Sequence, residues 1–317
     1  MRAVVFAYHD VGVRCLQVLL ARGVEVALVV THEDNLAETI WFASVAALCE
    51  EHCIACIKPA DPAAPEVLAQ VQAAGPDILF SFYYRHMLPV SLLDIAPRGA
   101  FNMHGSLLPK YRGRVPINWA VLHGETETGA TLHAMVAKPD AGFIVGQTAV
   151  PILPDDTAAK VFGKVVVAAE QTLWRVLPEM LAGRTPQLPN DLTQGSYFGG
   201  RRAEDGRIDW QQPAPAIYNL VRAVAPPYPG AWTLLGDARL VIADARLLAA
   251  PAAEAIRSQA FASKQLNLVP GLTVVDNRIF AVGGDGGLLA VRLLLRDDVP
   301  VGAGELQTLL ERQPASG

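Results

Sequence analysis

Two polar residues with catalytic chemistry end an apolar stretch near the middle of the chain. Asn102 and His104 alternate with Phe101 and Met103 over residues 99–104. Alternate side chains of an extended strand point to the same face, so this spacing predicts that the amide and the imidazole lie side by side. An amide can donate a hydrogen bond to a developing oxyanion, and an imidazole can transfer protons near neutral pH. A hydrogen-bonded core pair without catalytic function is the other interpretation of this pattern.

The segment that follows carries charges suited to an anionic ligand. Residues 105–114 have the sequence GSLLPKYRGR, which places Lys110, Arg112 and Arg114 within five positions. Ammonium and guanidinium groups bind phosphate or carboxylate, although they are also common on solvated surfaces. Asp140 follows an apolar run in a tight turn, where aspartate often serves only local hydrogen bonding. These residues by themselves leave both a binding loop and a plain surface loop open.

Taken together, these residues resemble the 10-formyltetrahydrofolate-dependent formyltransferase family. The matching motifs are the Asn-x-His pair at Asn102 and His104, the sequence SLLP at 106–109 and the later Asp140. The similarity extends to further segments of both halves of the chain, at residues 6–10, 81–86, 110–114, 124–129, 202–210 and 222–232. It is greatest to the members whose acceptor is UDP-4-amino-4-deoxy-L-arabinose.

The resemblance implies a role for particular residues of this chain. Asn102 would stabilise the oxyanion, His104 would transfer the proton, and Asp140 would lie beside His104 and raise its pKa. The co-substrate would be 10-formyltetrahydrofolate, without a metal and without NAD. The residues implied to contact the folate are His86, Met87, Leu88, Arg114, Val136, Ala137, Lys138, Pro139 and Asp140.

The resemblance also implies a pathway. The formyl group would pass to the 4-amino group of UDP-4-amino-4-deoxy-L-arabinose, in lipid A modification and polymyxin resistance. Many similar members are fused to a sugar-nucleotide decarboxylase, which these 317 residues do not contain. We therefore expect a separate decarboxylase and a separate aminotransferase to supply the amino sugar.

Several alternatives share the same fold. Methionyl-tRNA formyltransferases have a basic insertion after the second strand, whereas residues 31–39 contain Glu33, Asp34 and Glu38 and neither Lys nor Arg. The sequence therefore argues against tRNA. A folate-binding or sugar-nucleotide-binding protein without activity would have lost the catalytic residues, and all three are present. Hydrolysis of formyltetrahydrofolate and another aminosugar nucleotide as acceptor stay open.

The elements that position these residues alternate between strand and helix. Apolar runs predict strands at residues 2–8, 24–31, 54–57, 77–82 and 99–104. Helical spacing of apolar residues predicts helices at residues 11–21, 40–53, 65–74 and 157–181. This alternation predicts an α/β fold with a doubly wound, mostly parallel, Rossmann-like sheet, whose functional site lies at the carboxyl ends of the strands.

A second, smaller domain follows a segment rich in Pro and Gly. We expect a catalytic domain at 1–190, a linker at 191–203, an open β-barrel (OB-like) domain at 204–306 and a tail at 307–317. Short alternating runs predict strands of the second domain at residues 208–210, 231–235, 240–243, 268–275, 278–282 and 288–295.

Composition excludes several classes of protein. Apolar residues make up 51% of the 317 residues and charged residues 18%, which excludes intrinsic disorder. The net charge of −5 gives no general attraction to nucleic acid. Neither a signal peptide nor a membrane-spanning run is recognisable, so a cytoplasmic protein without stable membrane insertion is expected.

Other candidate sites have weaker support. Residues 8–12 lack the three spaced glycines that a dinucleotide fold needs after its first strand. Cys49, Cys53 and Cys56 have a spacing found in some metal sites, but their position at a helix end favours packing residues. The clustered Gly residues at 283–287 are interpreted as a turn. Five histidines are interpreted as surface or packing residues: His9, His32, His52, His123 and His133.

Overall fold

The computed structural model describes residues 1–35, 38–262 and 268–312. These residues divide into two units, each with its own sheet. The first unit consists of residues Met1–Ile117, Glu127–Pro151 and Phe162–Gly200. The second consists of Asn118–Thr126, Ile152–Val161 and the described residues from 201 onward.

The first part of the chain alternates between strands and helices, as the sequence predicts. In chain order, its elements are β1 (Arg2–Ala7), α1 (His9–Ala21), β2 (Glu25–Val30), α2 (Val45–Glu51), β3 (Cys56–Ile57), α3 (Pro65–Ala74), β4 (Ile78–Phe82), α4 (Val90–Leu93), β5 (Ala100–His104), β6 (Arg112–Gly113), α5 (Pro116–Leu122), β7 (Glu127–Ala134), β8 (Ile144–Pro151), α6 (Ala158–Leu181) and β9 (Tyr197–Phe198).

The main sheet of the first unit is parallel over most of its width. Among the described residues its strand order is β3-β2-β1-β4-β5-β7-β8, and the pairs from β3 to β5 are parallel. β1 lies centrally with residues 3–7 buried, because helices cover both faces of such a sheet and favour continuous apolar strands. Together with the second unit described below, this architecture confirms the predicted fold class.

The pairing changes direction at β5, where the candidate catalytic residues lie. β7 runs antiparallel to β5, and its register places His133 opposite Asn102 and Thr131 opposite His104. On the other side, parallel β4 places Ser81 beside Asn102. The carboxyl end of β5 is therefore flanked by the end of one parallel strand and by the middle of an antiparallel one.

The predicted helix at 40–53 is too long. The structure has α2 only at Val45–Glu51, because the Ser44 hydroxyl accepts a hydrogen bond from Ala47 N at 3.2 Å and caps the start of the helix. The preceding segment is held outside the helix by a 2.9 Å hydrogen bond from Ala43 N to the Asp10 carboxylate. Cys53 consequently lies beyond the helix, in an exposed turn with φ 54°, and is not the packing residue that was expected.

The second unit contains an antiparallel sheet and helices that the sequence analysis missed. Its elements beyond residue 201 are α7 (Ala214–Val224), β10 (Ala231–Leu235), β11 (Ala238–Leu247), α8 (Ala250–Ala262), β12 (Gly271–Val275), β13 (Arg278–Val282), β14 (Leu288–Arg296), β15 (Val299–Pro300) and α9 (Ala303–Glu311). The strand order is β10-β11-β14-β13-β12, with β15 beside β14. This sheet agrees with the expected OB-like domain.

Three sequence predictions for residues 191–287 can be compared with the structure. Residues 208–210 do not form a strand, because only Arg207 bridges to Trp232. The glycine-rich segment is a turn, as expected, and Asp285 holds it by accepting hydrogen bonds from Ala214 N and Gly287 N, both at 2.9 Å. The predicted linker, 191–203, contains β9, which pairs with β6 in the first unit.

In the described part of the chain, no helix combines the length and the apolar character that crossing a membrane would require.

Candidate active site

The strands β5 and β7 bring three of the polar side chains together. Asn102 is half-buried on β5, and His104 and His133 are buried. The Asn102 Nδ2 atom lies 3.2 Å from His133 Nε2, which the antiparallel register explains. The His133 Nδ1–H donates to its neighbouring Ala134 carbonyl at 2.8 Å. In this tautomer, Nε2 of His133 carries the lone pair that accepts from the Asn102 amide.

Asp140 returns to this cluster from the turn between β7 and β8. Its Oδ1 atom lies 3.7 Å from His104 Nδ1 and 3.4 Å from His133 Nε2. Its Oδ2 atom accepts a 2.8 Å hydrogen bond from Gly113 N. The structure therefore brings the three predicted catalytic residues into one cluster, in which Asp140 stands beside both imidazoles.

The backbone of Asp140 is held in an unusual conformation. Its φ of 51° lies in the left-handed region, which a residue with a side chain adopts only at a cost. The Asn190 amide donates to the carbonyls of Asp140 at 3.1 Å and Gly142 at 2.8 Å, and so fixes the turn. At Gly113, φ is 97° and a side chain would collide with the Phe198 carbonyl, so a glycine is needed where the backbone meets Asp140.

Both ring nitrogens of His104 have partners. Nε2–H donates to the Tyr111 carbonyl at 2.8 Å, and Nδ1 faces the Asp140 carboxylate. A neutral ring with its hydrogen on Nε2 would direct the Nδ1 lone pair at the Asp140 carboxylate. An imidazolium would instead donate from Nε2 to the Tyr111 carbonyl and from Nδ1 to the carboxylate. Burial lowers the pKa of His104, and Asp140 together with the Tyr111 carbonyl offsets only part of that effect. Asp140 therefore acts on the pKa of His104 in the expected direction, but burial outweighs it and the net pKa is lowered.

The carboxyl group of Asp140 is strongly acidic. Burial by itself raises its pKa, but the nearby His104 and His133 rings and the Gly113 N–H together lower it well below the usual range. Asp140 is consequently a carboxylate at neutral pH. A fixed negative charge beside an imidazole favours the protonated ring, so this cluster can take up a proton and stabilise the imidazolium that results.

His133 belongs to the cluster, although the sequence predicts a surface or packing residue at this position. It lies between Asn102 and Asp140. The signal that could have found it is the alternation within the apolar run 131–136, which places Thr131 and His133 on one face. Only the pairing partner of that run, which the sequence does not specify, shows that this face meets Asn102.

The three cations of the loop after β5 do not act as one group. Arg112 is buried, whereas Lys110 and Arg114 are exposed. The loop is held in place by β9, because Arg112 N donates to the Ser196 carbonyl at 3.0 Å and Arg114 N to the Phe198 carbonyl at 3.0 Å. The three charges are therefore not presented together to solvent.

The predicted folate residues fall into separate places. His86, Met87 and Leu88 follow β4, whereas 136–140 form the turn that carries Asp140. Met87 and Val136 are large apolar side chains that are 64% and 46% exposed. Within the described residues, the side chains of 86–88, Arg114 and 136–139 share no hydrogen bond or ion pair with the catalytic cluster.

His32 supports the segment that precedes His86. Its Nε2 atom accepts a 3.0 Å hydrogen bond from Arg85 N, and its ring stacks on Tyr84 with centroids 4.1 Å apart. Burial, followed by the nearby His86 and Arg85 charges, lowers the pKa of His32 to about 4. The ring therefore stays neutral at neutral pH and keeps the lone pair that this hydrogen bond needs.

Among the described residues, no group of three or more His, Cys, Asp or Glu side chains is placed to hold a metal ion. Cys49 is buried, Cys56 is half-buried and Cys53 is exposed, and all three are free thiols.

An amide donor, a buried imidazole and a carboxylate, which meet at the end of β5, are groups that acid–base catalysis of group transfer uses. Comparison with known families makes this more specific. A family model described as formyl transferase matches residues 2–177, and one described as formyl transferase, C-terminal domain, matches residues 201–302. The chain belongs to the formyl transferase family and is a formyltransferase.

Solved structures of similar fold agree with this assignment. An N-formyltransferase from Helicobacter canadensis, in complex with folinic acid and dTDP-3-aminofucose, has a TM-score of 0.68 at 17% identity and covers 92% of this chain and 98% of its own. WlaRD, a sugar 3N-formyl transferase in the presence of dTDP and 5-N-formyl-THF, has a TM-score of 0.69 at 17% identity, covering 94% and 98%. HypX from Aquifex aeolicus, in complex with tetrahydrofolic acid, has a TM-score of 0.62 at 16% identity and covers 98% of this chain and 48% of its own.

Proposed function

We propose that this formyltransferase transfers the formyl group of 10-formyltetrahydrofolate to the 4-amino group of UDP-4-amino-4-deoxy-L-arabinose. The observation that carries the proposal is the cluster of Asn102, His104 and Asp140 at the end of β5, within the matched formyl transferase segment. Two proteins of similar fold were solved with a formyl-folate or folinic acid together with a dTDP-sugar or dTDP. These ligands support a folate donor and a nucleotide-sugar acceptor.

The proposed reaction needs one oxyanion donor and one proton carrier. The acceptor amine attacks the formyl carbon, a C–N bond forms, and the carbonyl oxygen becomes negatively charged. The Asn102 amide then donates to this oxygen, which is worth about 3 to 4 kcal/mol when such a donor is preorganised. In our proposal, the hydrogen bond of Asn102 with His133 provides that preorganisation.

His104 is the proposed proton carrier. The attacking amine loses a proton, and N10 of the folate gains one as its bond to the formyl carbon breaks. Nε2 of His104 carries the hydrogen that bonds to the Tyr111 carbonyl. To accept the amine proton, Nε2 must give up that bond and hold the lone pair, with the ring hydrogen on Nδ1 toward Asp140; the imidazolium that forms then returns a proton to N10. The Asp140 carboxylate favours the imidazolium during the interval in which His104 holds the proton.

Folate binding is proposed at residues 86–88, Arg114 and 136–140. The structure offers one observation that fits: Met87 and Val136 expose large apolar surfaces that a pterin ring could cover. Met87 is mostly exposed, and about half of Val136 is exposed.

The acceptor is the finer part of the proposal. Residues 31–39 carry Glu33, Asp34 and Glu38 and neither Lys nor Arg, which disfavours tRNA, whose phosphates require neutralisation. We further propose that the enzyme acts in the cytoplasm, in lipid A modification and polymyxin resistance, and that a decarboxylase and an aminotransferase supply the amino sugar. The catalytic domain is proposed to span 1–190 and the OB-like domain 204–306.

One assay tests the acceptor. The purified protein is incubated with 10-formyltetrahydrofolate and either UDP-4-amino-4-deoxy-L-arabinose or initiator methionyl-tRNA, and formylated product is measured. We expect product from the sugar nucleotide only. Product from the tRNA alone would contradict the proposal, and a dTDP-linked amino sugar as the better acceptor would replace the sugar while retaining the reaction.

A further inference from the structure

A cavity of about 430 Å³ lies beside strands β11, β13 and β14 of the antiparallel sheet in the second unit. Three arginines from three strands line it: Arg246 of β11, Arg278 of β13 and Arg292 of β14. The remaining wall is mostly apolar, with Leu248, Ile279, Ala290 and Val291. Because the whole chain has a net charge of −5, this concentration of guanidinium groups is a local feature.

Two of these arginines lie on adjacent strands. Phe280 of β13 pairs with Ala290 of β14, and Arg278 and Arg292 each lie two residues beyond that pair. The register of β14 with β11 shifts at this point, from Ala245–Val291 to Asp244–Leu293, so the regular alternation is interrupted at Arg292. Both arginines line the cavity, and the Arg278 guanidinium carbon lies 5.1 Å from the centre of the Phe280 ring.

The charge of Arg246 is balanced, but the charges of the other two arginines are not. Arg246 Nη1 donates to Asp244 at 2.7 Å, and its Nε lies 3.4 Å from a carboxylate oxygen of Asp155. Within the described residues, neither Arg278 nor Arg292 has a carboxylate at ion-pair distance. Two guanidinium groups therefore face one cavity with uncompensated positive charge.

We propose that this cavity binds a nucleoside diphosphate. The two uncompensated guanidinium groups match two phosphates, which planar guanidinium forks bind with paired hydrogen bonds. The apolar part of the lining on the side of Arg246, formed by Leu248 and Ala290, receives the nucleoside. A volume of about 430 Å³ is within the range of pockets that enclose small molecules. No residue of this cavity belongs to the catalytic cluster or to the proposed folate segments.

Binding is tested on the full chain with uridine diphosphate, inorganic pyrophosphate and uridine as three separate probes. Hydrogen–deuterium exchange locates the site, and calorimetry gives the dissociation constant. We expect uridine diphosphate to protect peptides within 276–292, pyrophosphate to bind at least about tenfold more weakly, and uridine not to bind there. Equal affinity for pyrophosphate, equal affinity for uridine, or no protection of these peptides would overturn the proposal.

Variants assign the binding to the two arginines. Arg278→Ala combined with Arg292→Ala should weaken the binding that protects 276–292 by about 100-fold, since each charged contact contributes about tenfold or more. Arg296→Ala is the matched control, because Arg296 is an exposed arginine at the end of the same strand and pairs with Asp297. Equal losses in the double variant and the control would refute the assignment. Arg292→Gln alone, at an exposed position, carries the test if the double variant does not fold.

Discussion

Replacement of Asp140 by asparagine isolates the charge that the catalytic cluster places beside His104. Asparagine keeps the shape of the side chain and an oxygen that can accept from Gly113 N, which now donates to Asp140 at 2.8 Å. What disappears is the negative charge 3.7 Å from His104 Nδ1 and 3.4 Å from His133 Nε2. The variant therefore tests the electrostatic role of Asp140 separately from its role in the turn.

The direction of the effect follows from the charges. A carboxylate beside an imidazole favours the imidazolium, so its removal lowers the pKa of His104, and the ring releases its proton at a lower pH. At 3.7 Å, the interaction of two unit charges is about 4 kcal/mol for an effective dielectric constant of 20, which is an upper limit. A partner at this distance typically moves a titration by about one to three pH units. The acidic limb of the pH–rate profile should move downward by that amount.

The rate should fall at the same time. Because each pH unit corresponds to a factor of ten, lost stabilisation of the protonated His104 should cost about 10- to 1,000-fold in turnover. Initial rates of formyl transfer between pH 5 and 9 measure both effects, and thermal unfolding shows whether the variant is folded. Asp237→Asn, an exposed aspartate in the second unit, is the control and should leave the profile unchanged. An unshifted limb with turnover close to wild type would mean that Asp140 is only a turn residue.

Three further variants test neighbouring groups. His104→Ala should reduce turnover by about 100- to 10,000-fold, while calorimetry should show that folate still binds. Loss of folate binding would indicate that His104 has a structural role instead. Asn102→Ala should lower kcat by about 100- to 1,000-fold with a smaller change in KM, because the amide acts on charge that exists only near the transition state. An effect on KM alone would contradict this role. His32→Ala removes the acceptor of Arg85 N and should raise the KM for formyl-folate about tenfold through segment 86–88, and an effect on kcat alone would exclude this role.

The fold of the first unit was predictable because its strands are continuous apolar runs. β1, β4 and β5 differ from the predicted strands by one residue at an end, and α3 begins and ends at the predicted residues. The start of α2 was not predictable from apolar spacing alone, because it depends on the Ser44 cap and on the distant Asp10. In the second unit, Pro213 and Pro215 lie around the start of α7, and no helix was expected there.

The site was predictable only where one element carries it. Asn102 and His104 share a strand, and alternation alone places them on one face. The distance between His104 and Asp140, 36 positions apart, depends on how the turn after β7 folds back. His133 depends on the direction of β7, since only an antiparallel neighbour in this register brings it opposite Asn102. Arg112 is buried, because β9 pairs with its strand, and the spacing of charges in the sequence does not show this.

The electrostatics of the cluster balance two demands that oppose each other. A proton acceptor must be neutral before it acts, and burial, which lowers the pKa of His104, favours that state. The imidazolium that forms afterwards would be unstable in the same surroundings without a charge beside it. Asp140 supplies that charge, because Gly113 N and the two imidazoles keep it ionised. Asp140 reaches this position with a left-handed backbone, which is strained for a residue with a side chain. The Asn190 amide stabilises this conformation by donating to the carbonyls of Asp140 and Gly142. The strain therefore lies at the residue whose placement the proposed chemistry requires.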